Sequence, residues 1–158
     1  MIRTTVGAGF ASLVLIAGAL TVTVGCSIVD LGDPPADVNA CRPSQEYFVS
    51  DVWPNFLAKS YNGKTCADAN CHGPGATSAL HLVADPKTPN PVTFPLVGGS
   101  DWFANYTAAS DVMNCTDVTG SSLYTKPSGL QSSHGGGMLF SPGGAEFDLL
   151  QQWVMAGP

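Results

Sequence analysis

The chain has 158 residues, with twelve Asp and Glu against six Lys and Arg and a net charge of −6. Because binding to nucleic-acid phosphates requires a positive surface, this acidic balance excludes nucleic acid as an expected partner. The length suffices for one domain with a single core after an N-terminal signal.

Residues 1–25 predict a secretory signal peptide. Arg3 precedes an uncharged and largely apolar run from Thr4 to Gly25, which is typical of such signals. The run leads into the tetrapeptide TVGC at residues 23–26, which resembles a bacterial lipobox although Thr replaces the usual Leu. Cys26 is therefore the predicted site of lipid attachment. An uncleaved anchor helix is the alternative, since about 20 apolar residues can span a bilayer.

Residues 26–43 predict a tether, because they are polar, contain prolines and lack periodicity. A helix is predicted over residues 44–60, where apolar residues recur at spacings of three to five. These are Tyr47, Phe48, Val52, Trp53, Phe56 and Leu57. Pro54 predicts a break or kink within that helix. Asn62 and Gly63 predict a turn directly after it.

The next segment, TCADANCHG at residues 65–73, is the most informative part of the chain. It places Cys66, Cys71 and His72 in a C-x-x-x-x-C-H pattern, with two residues more between the thiols than the C-x-x-C-H signature of haem attachment. In a c-type cytochrome both thiols join the haem covalently, and the adjacent His is the proximal iron ligand. The pattern therefore predicts a covalent haem.

The remainder of the chain predicts irregular structure with two further helices. The stretch from Asp85 to Pro95 contains four prolines and cannot form a regular helix. A helix is predicted to begin at Ser100 or Asp101, either of which can cap its N-terminus. A glycine-rich loop follows at residues 134–138, and apolar periodicity predicts a final helix from about Gly144 to Ala156.

The order of these segments resembles the small cytochrome c-like domains of bacterial exported proteins and lipoproteins. The resemblance covers residues 44–158 and rests on an aromatic helix, the Cys…Cys-His-Gly segment, a Pro-rich middle, SLYTKPSG, HGGG and a terminal helix ending in WVMAG. It implies an all-α, cytochrome c-like fold of a few short helices around one covalent haem, with loops rich in Pro and Gly.

The resemblance also implies which residues hold the haem c. Cys66 and Cys71 would form the thioethers, and His72 would be the proximal ligand. His134 is the expected sixth ligand, with Met138 as the alternative, because both lie in the glycine-rich loop where backbone can approach the macrocycle closely. Ligation by two His would give a lower reduction potential than ligation by His and Met.

With Cys26 assigned to lipid and Cys66 and Cys71 to haem, two cysteines remain. Cys41 and Cys115 could then form one disulfide, as is common in exported proteins. The competing interpretation pairs all four cysteines after Cys26 in disulfides, but it does not explain why His72 directly follows Cys71.

The expected function is electron transfer by a single-haem lipoprotein of the cell envelope. A filled sixth iron position argues against an enzyme, because no substrate could reach the iron. Its expected partners are a redox protein or membrane complex, together with the membrane that holds the lipid anchor. The alternatives are a disulfide-stapled lipoprotein without haem and a zinc-binding one that uses Cys66, Cys71 and His72 with a fourth residue.

Overall fold

The structure is a computed structural model that describes residues 41–87, 91–131 and 134–158. The predicted signal peptide and the lipid site Cys26 lie outside these residues. Within the described ranges the chain forms helices and irregular segments without a β-strand, apart from an isolated bridge between Tyr61 and Lys64. The all-α class is confirmed. No helix in the same ranges is long and apolar enough to cross a membrane.

The first helical segment begins as α1 (Gln45–Tyr47) and continues directly into a π-helix (Phe48–Leu57). Ser44 caps its start, because the side-chain oxygen of Ser44 accepts a hydrogen bond from the Tyr47 backbone N–H at 3.2 Å. Pro54 has no N–H to donate, and its ring would collide with a carbonyl one α-turn earlier. The wider π turns avoid that collision, so the predicted helix is present in a different geometry.

Two of the remaining helices match the predictions closely. Helix α2 (Asp101–Asp111) is capped by Ser100, whose side chain accepts a hydrogen bond from the Phe103 backbone N–H at 3.1 Å. A 3-10 helix (Val118–Gly120) and the short helix α3 (Ser122–Thr125) follow. The final helix, α4 (Ala145–Met155), begins after Gly144 as its N-cap and ends one residue before the predicted Ala156.

An aromatic cluster joins the π-helix, α2 and α4. The ring of Phe48 lies 5.7 Å from that of Tyr106 and 5.5 Å from that of Trp153, measured between centroids. Trp153 is fully buried, and its indole N–H donates to the Ser44 carbonyl at 2.9 Å. The start and the end of the domain are therefore packed together in one core.

A disulfide joins Cys41 to Cys115 across a sequence separation of 74 residues. Cys41 and Pro43 are buried, and the Pro43 carbonyl accepts a hydrogen bond from the Tyr106 hydroxyl at 2.8 Å. The last residues of the segment expected to be a tether thus contribute to the core. The disulfide holds them against the loop that follows α2.

Candidate functional site

The four residues expected to bind haem line one cleft of about 800 Å³. Its walls come from the segment between the π-helix and the Pro-rich region, from Lys126 just after α3, and from the glycine-rich loop. The lining residues include Tyr61, Lys64, Cys66, Cys71, His72, Lys126, His134 and Leu139. Three separate parts of the sequence therefore meet at this cleft.

Hydrogen bonds within the loop fix the spacing between Cys66 and His72. The Asp68 carboxylate accepts from the Thr65 backbone N–H at 2.8 Å, and the Asp68 carbonyl accepts from the Cys71 N–H at 2.8 Å. The His72 N–H donates to the Cys66 carbonyl at 3.0 Å. The residues between the thiols are thus folded into tight turns, which brings the backbone of His72 next to that of Cys66.

Gly73 is required by this loop for steric reasons. A Cβ atom at this position would lie 2.3 Å from the Ala67 carbonyl oxygen, a distance that no real contact tolerates. The Gly73 N–H also donates to the Asp68 carbonyl at 2.9 Å. Asp68 and Gly73 were not among the predicted site residues, yet they shape the loop that carries Cys66 and His72.

Neither cleft cysteine is in a disulfide; both Cys66 and Cys71 have free thiols. Burial, together with the nearby Cys71, raises the pKa of the Cys66 thiol to about 12. Cys66 therefore remains a protonated thiol near neutral pH. This state is unreactive as a metal ligand, since metals bind the thiolate.

The backbone around His72 fixes its tautomer. The Nδ1 atom lies 3.1 Å from the Leu80 carbonyl and 2.8 Å from the Ser78 hydroxyl. A carbonyl can only accept, so Nδ1 carries the proton and Nε2 presents its lone pair. Burial lowers the pKa of His72, and the Leu80 hydrogen bond opposes that shift only in part. His72 is thus neutral near pH 7.

His134, in the glycine-rich loop, also has its Nδ1 held by a backbone carbonyl. Its Nδ1 lies 2.8 Å from the Gly137 carbonyl, so Nε2 is again the atom with a free lone pair. Gly136 leaves space for this ring, because a Cβ there would approach the His134 Cε1 to 3.2 Å. Neither His72 Nε2 nor His134 Nε2 has a hydrogen-bond partner within the part of the chain that the structure describes.

The two imidazole rings lie close together at the cleft. Their centroids are 6.2 Å apart and their planes differ by 18°. A bond from a His nitrogen to a metal ion is about 2 Å long, so two such bonds in line, with a ring radius at each end, separate the centroids by about 6 Å. The separation of the His72 and His134 rings is therefore close to that of two ligands on opposite sides of one metal ion.

The alternative ligand, Met138, lies elsewhere. Met138 has 63% of its surface exposed, and its side chain lies against Gly129, where a Cβ would approach the sulfur to 3.3 Å. Met138 does not line the cleft, and neither does His81. Among the residues that the structure describes, no three His, Cys, Asp or Glu side chains converge as a metal-binding group.

A second, smaller cavity of about 90 Å³ adjoins the cleft and is mostly apolar. It shares Cys66, His72, Lys126 and His134 with the cleft. The remaining walls include Phe56, Leu80, Val112 and Leu123. The two histidines therefore border both a cleft of mixed polarity and a mostly apolar cavity.

Comparison with known proteins gave no match. No protein-family model matches the chain, and no curated protein or solved structure is significantly similar to it.

Proposed function

We propose that this protein is a cytochrome c-like electron carrier, in which Cys66 and Cys71 bind haem c covalently and His72 and His134 are the axial ligands. The observation that carries the proposal is the pair of imidazoles 6.2 Å apart. Each uses Nδ1 to donate to a backbone carbonyl and leaves Nε2 free for a metal. Such outer hydrogen bonds orient His ligands in metalloproteins generally.

The other properties of the cleft suit the same group. Its volume of about 800 Å³ lies in the range of roughly 300–1,000 Å³ that is usual for small-molecule and cofactor sites. Both thiols are unpaired and line the same cleft as the histidines. A haem iron needs only two ligands from the protein, because the macrocycle supplies four, whereas a structural zinc ion takes about four protein ligands.

Electron transfer follows from the ligand set rather than from the fold. A bound haem supplies one-electron chemistry at its iron. If His72 and His134 occupy both axial positions, no position is open for a substrate, and the protein acts as a carrier instead of an enzyme. Ligation by two His favours a lower reduction potential than ligation by His and Met.

The N-terminal sequence supports a location in the cell envelope. The signal peptide of residues 1–25 would direct export, and a lipid on Cys26 would hold the domain at a membrane. Export into an oxidising compartment agrees with the disulfide between Cys41 and Cys115. We propose a redox protein or membrane complex of the envelope as the partner.

A visible spectrum and a pyridine haemochrome of the protein, produced with a periplasmic haem-attachment system, test the proposal. We expect a Soret band and haem that stays with the protein during acid-acetone extraction. A double variant, Cys66→Ser with Cys71→Ser, should lose the extraction-resistant haem. Absence of a Soret band from the unmodified protein would refute the proposal and favour a disulfide-stapled or zinc-binding lipoprotein.

A further inference from the structure

One exposed segment of the domain is apolar and carries no charge. The sequence has no charged residue between Lys87 and Asp101. Within this segment Phe94 is 41% exposed and Val97 is 52% exposed, although both side chains are large and apolar. Neighbouring exposed apolar side chains mark a contact surface, whereas single scattered ones need no explanation. Phe94 and Val97 are called the apolar patch below.

The backbone around Leu96 ties the apolar patch to the domain. Leu96 is 5% exposed, and its N–H donates to the side-chain oxygen of Gln45 at 2.7 Å. The Val97 carbonyl accepts a hydrogen bond from the Ser100 N–H at 3.1 Å, directly before α2. Leu96 is thus buried between two exposed neighbours. The segment presents Phe94 and Val97 outward from a fixed position.

The charges that flank the apolar patch are compensated within the protein. Asp85 pairs with Lys87 at 3.0 Å. The Asp101 carboxylate accepts a hydrogen bond from the Lys87 backbone N–H at 3.1 Å. Charged groups oppose transfer toward an apolar phase unless they are paired and hydrogen-bonded. In a chain with a net charge of −6, this uncharged stretch with paired flanks suits an apolar surface such as lipid.

The predicted lipid anchor brings a bilayer within reach of the apolar patch. The fifteen residues from Cys26 to residue 40 can extend over at most about 50 Å. The chain then enters the domain at Cys41, and Gln45, four residues later, binds the backbone of Leu96 beside the patch. A contact made on such a tether is intramolecular, so even a small apolar patch meets the bilayer at a high effective concentration.

We propose that Phe94 and Val97 insert into the interface of the bilayer that carries the lipid of Cys26, and that they orient the domain on this membrane. The proposal rests on the lipid anchor of the proposed function and adds a second, non-covalent contact to it. Aromatic and aliphatic side chains are the ones that enter such interfaces. Neither Phe94 nor Val97 is among the described residues that line the cleft. The contact therefore uses none of the residues around the proposed haem.

Photo-crosslinking to lipid tests the contact in the lipidated protein with its whole tether. The photoreactive amino acid p-benzoylphenylalanine replaces Phe94 in one variant and Met155 in a second. Met155 is the matched control, because it is 77% exposed and ends α4. In phosphatidylcholine vesicles we expect at least about fivefold more lipid adduct from position 94, since interfacial side chains reach about 5–10 Å into the acyl boundary. Mass spectrometry measures the adduct, and equal yields would overturn the proposal.

A second substitution tests whether apolar insertion causes the crosslink. In the protein labelled at position 94, Val97→Asp should lower the yield of lipid adduct at least about threefold, because a charge replaces a buried apolar side chain. Leu130→Asp is the control: Leu130 is 57% exposed and lies outside the apolar patch, so the yield should not change. Circular dichroism melts establish that each variant is folded. An unchanged yield in Val97→Asp would contradict insertion.

Mass spectrometry of Cys26 distinguishes failure of the apolar patch from failure of the anchor. If Cys26 carries lipid and position 94 gives no lipid adduct, the patch is wrong and the anchor stands. If Cys26 carries no lipid, the anchor fails; the labelled protein is then mixed with the same vesicles, where an adduct at position 94 upholds the patch and its absence overturns it. Crosslinking of position 94 to a second copy of the chain instead of lipid would overturn the proposal and assign the patch to self-association.

Discussion

The two cleft histidines are oriented by hydrogen bonds from different parts of the protein. His72 is fixed by Ser78 and Leu80, which belong to the segment that follows it. His134 is fixed by Gly137, inside its own loop. Among the described residues, the hydrogen bond that orients His134 therefore comes from its own glycine-rich loop.

If haem binds as proposed, replacing His134 should change the spin state of its iron. His134→Ala removes the proposed sixth ligand, and we expect a five-coordinate, high-spin spectrum. Met138→Ala is the control, because Met138 is exposed and lies outside the cleft; this variant should stay low-spin. If Met138→Ala becomes high-spin and His134→Ala does not, Met138 is the ligand.

Gly73 allows a second test at this scale. In Gly73→Ala the new methyl group would collide with the Ala67 carbonyl, so the loop must move. We expect a loss of about 1–3 kcal/mol in the free energy of unfolding, measured by urea denaturation, together with poorer haem attachment. Gly98→Ala is the control, since a Cβ at Gly98 meets no atom within 4 Å and its φ is not positive. Equal stabilities would contradict this steric role.

The sequence predicted part of the site at residue level. The thiols and His72 are adjacent in a motif, and His134 was found from its glycine-rich surroundings. Asp68 and Gly73 could not be found in this way, because their roles arise from folding. The Asp68 carboxylate accepts a hydrogen bond from the Thr65 N–H, and Gly73 lies where a Cβ would collide with the Ala67 carbonyl.

At the scale of whole elements, capping residues predicted the start of α2, and periodicity predicted α4 to within about one residue at each end. The π-helix is different, because its apolar spacing is also compatible with an α-helix and only the structure shows the wider turns. Proline signalled an irregularity at that place. A sequence pattern could not show which distortion would result.

The contact between the first helical segment and α4 can be measured by one substitution. Trp153→Phe removes the indole N–H that donates to the Ser44 carbonyl and reduces the buried ring. We expect the free energy of unfolding to fall by about 1–3 kcal/mol. Tyr47→Phe is the control: it removes only an exposed hydrogen bond to Gln152 and should cost less than about 0.5 kcal/mol. Similar losses in both variants would contradict this assignment.

Across the whole molecule, charge pairing should make stability depend on pH. Burial alone would raise the pKa of Glu146, but the hydrogen bond and charge of Lys59 outweigh it, so the pKa is below its usual value. In the unfolded chain the pKa of a Glu carboxyl is about 4.3, and at pH values well above it the charged Glu146 stabilises the folded protein. This contribution is lost progressively as the pH falls below about 5 and through the lower pKa of the folded state.

Glu146→Gln should therefore flatten the acid side of the stability profile. We expect a loss of about 1 kcal/mol at pH 7, since Lys59 is partly exposed and solvent screens the pair. Thermal melts from pH 3 to pH 7 provide the measurement. Asp85→Asn, which breaks an exposed pair with Lys87, is the control and should leave the profile unchanged. A steep acid slope that persists in Glu146→Gln would contradict the prediction.

If haem binds as proposed, treatment with a reductant should distinguish the disulfide from the haem thioethers. The bond between Cys41 and Cys115 closes a long loop, and its removal should cost about 4 kcal/mol by loop entropy. Dithiothreitol should therefore lower the melting temperature of the haem-loaded protein. The haem should remain attached, because thioethers are not reduced by thiols. A Cys41→Ser, Cys115→Ser variant should show the lowered melting temperature without reductant and no further response to it.

The arrangement of the cysteines imposes an order on the assembly of this protein. Cys66 and Cys71 are five residues apart, while Cys41 and Cys115 are 74 apart. In an unfolded exported chain the nearer pair would meet on the order of fifty times more often, by the dependence of loop closure on length. If the domain is exported as proposed, oxidants outside the cytoplasm would thus join Cys66 to Cys71 first. Attachment of the proposed haem would then require that both thiols stay reduced until the cofactor arrives, or that the fold bury Cys66 before oxidation reaches it.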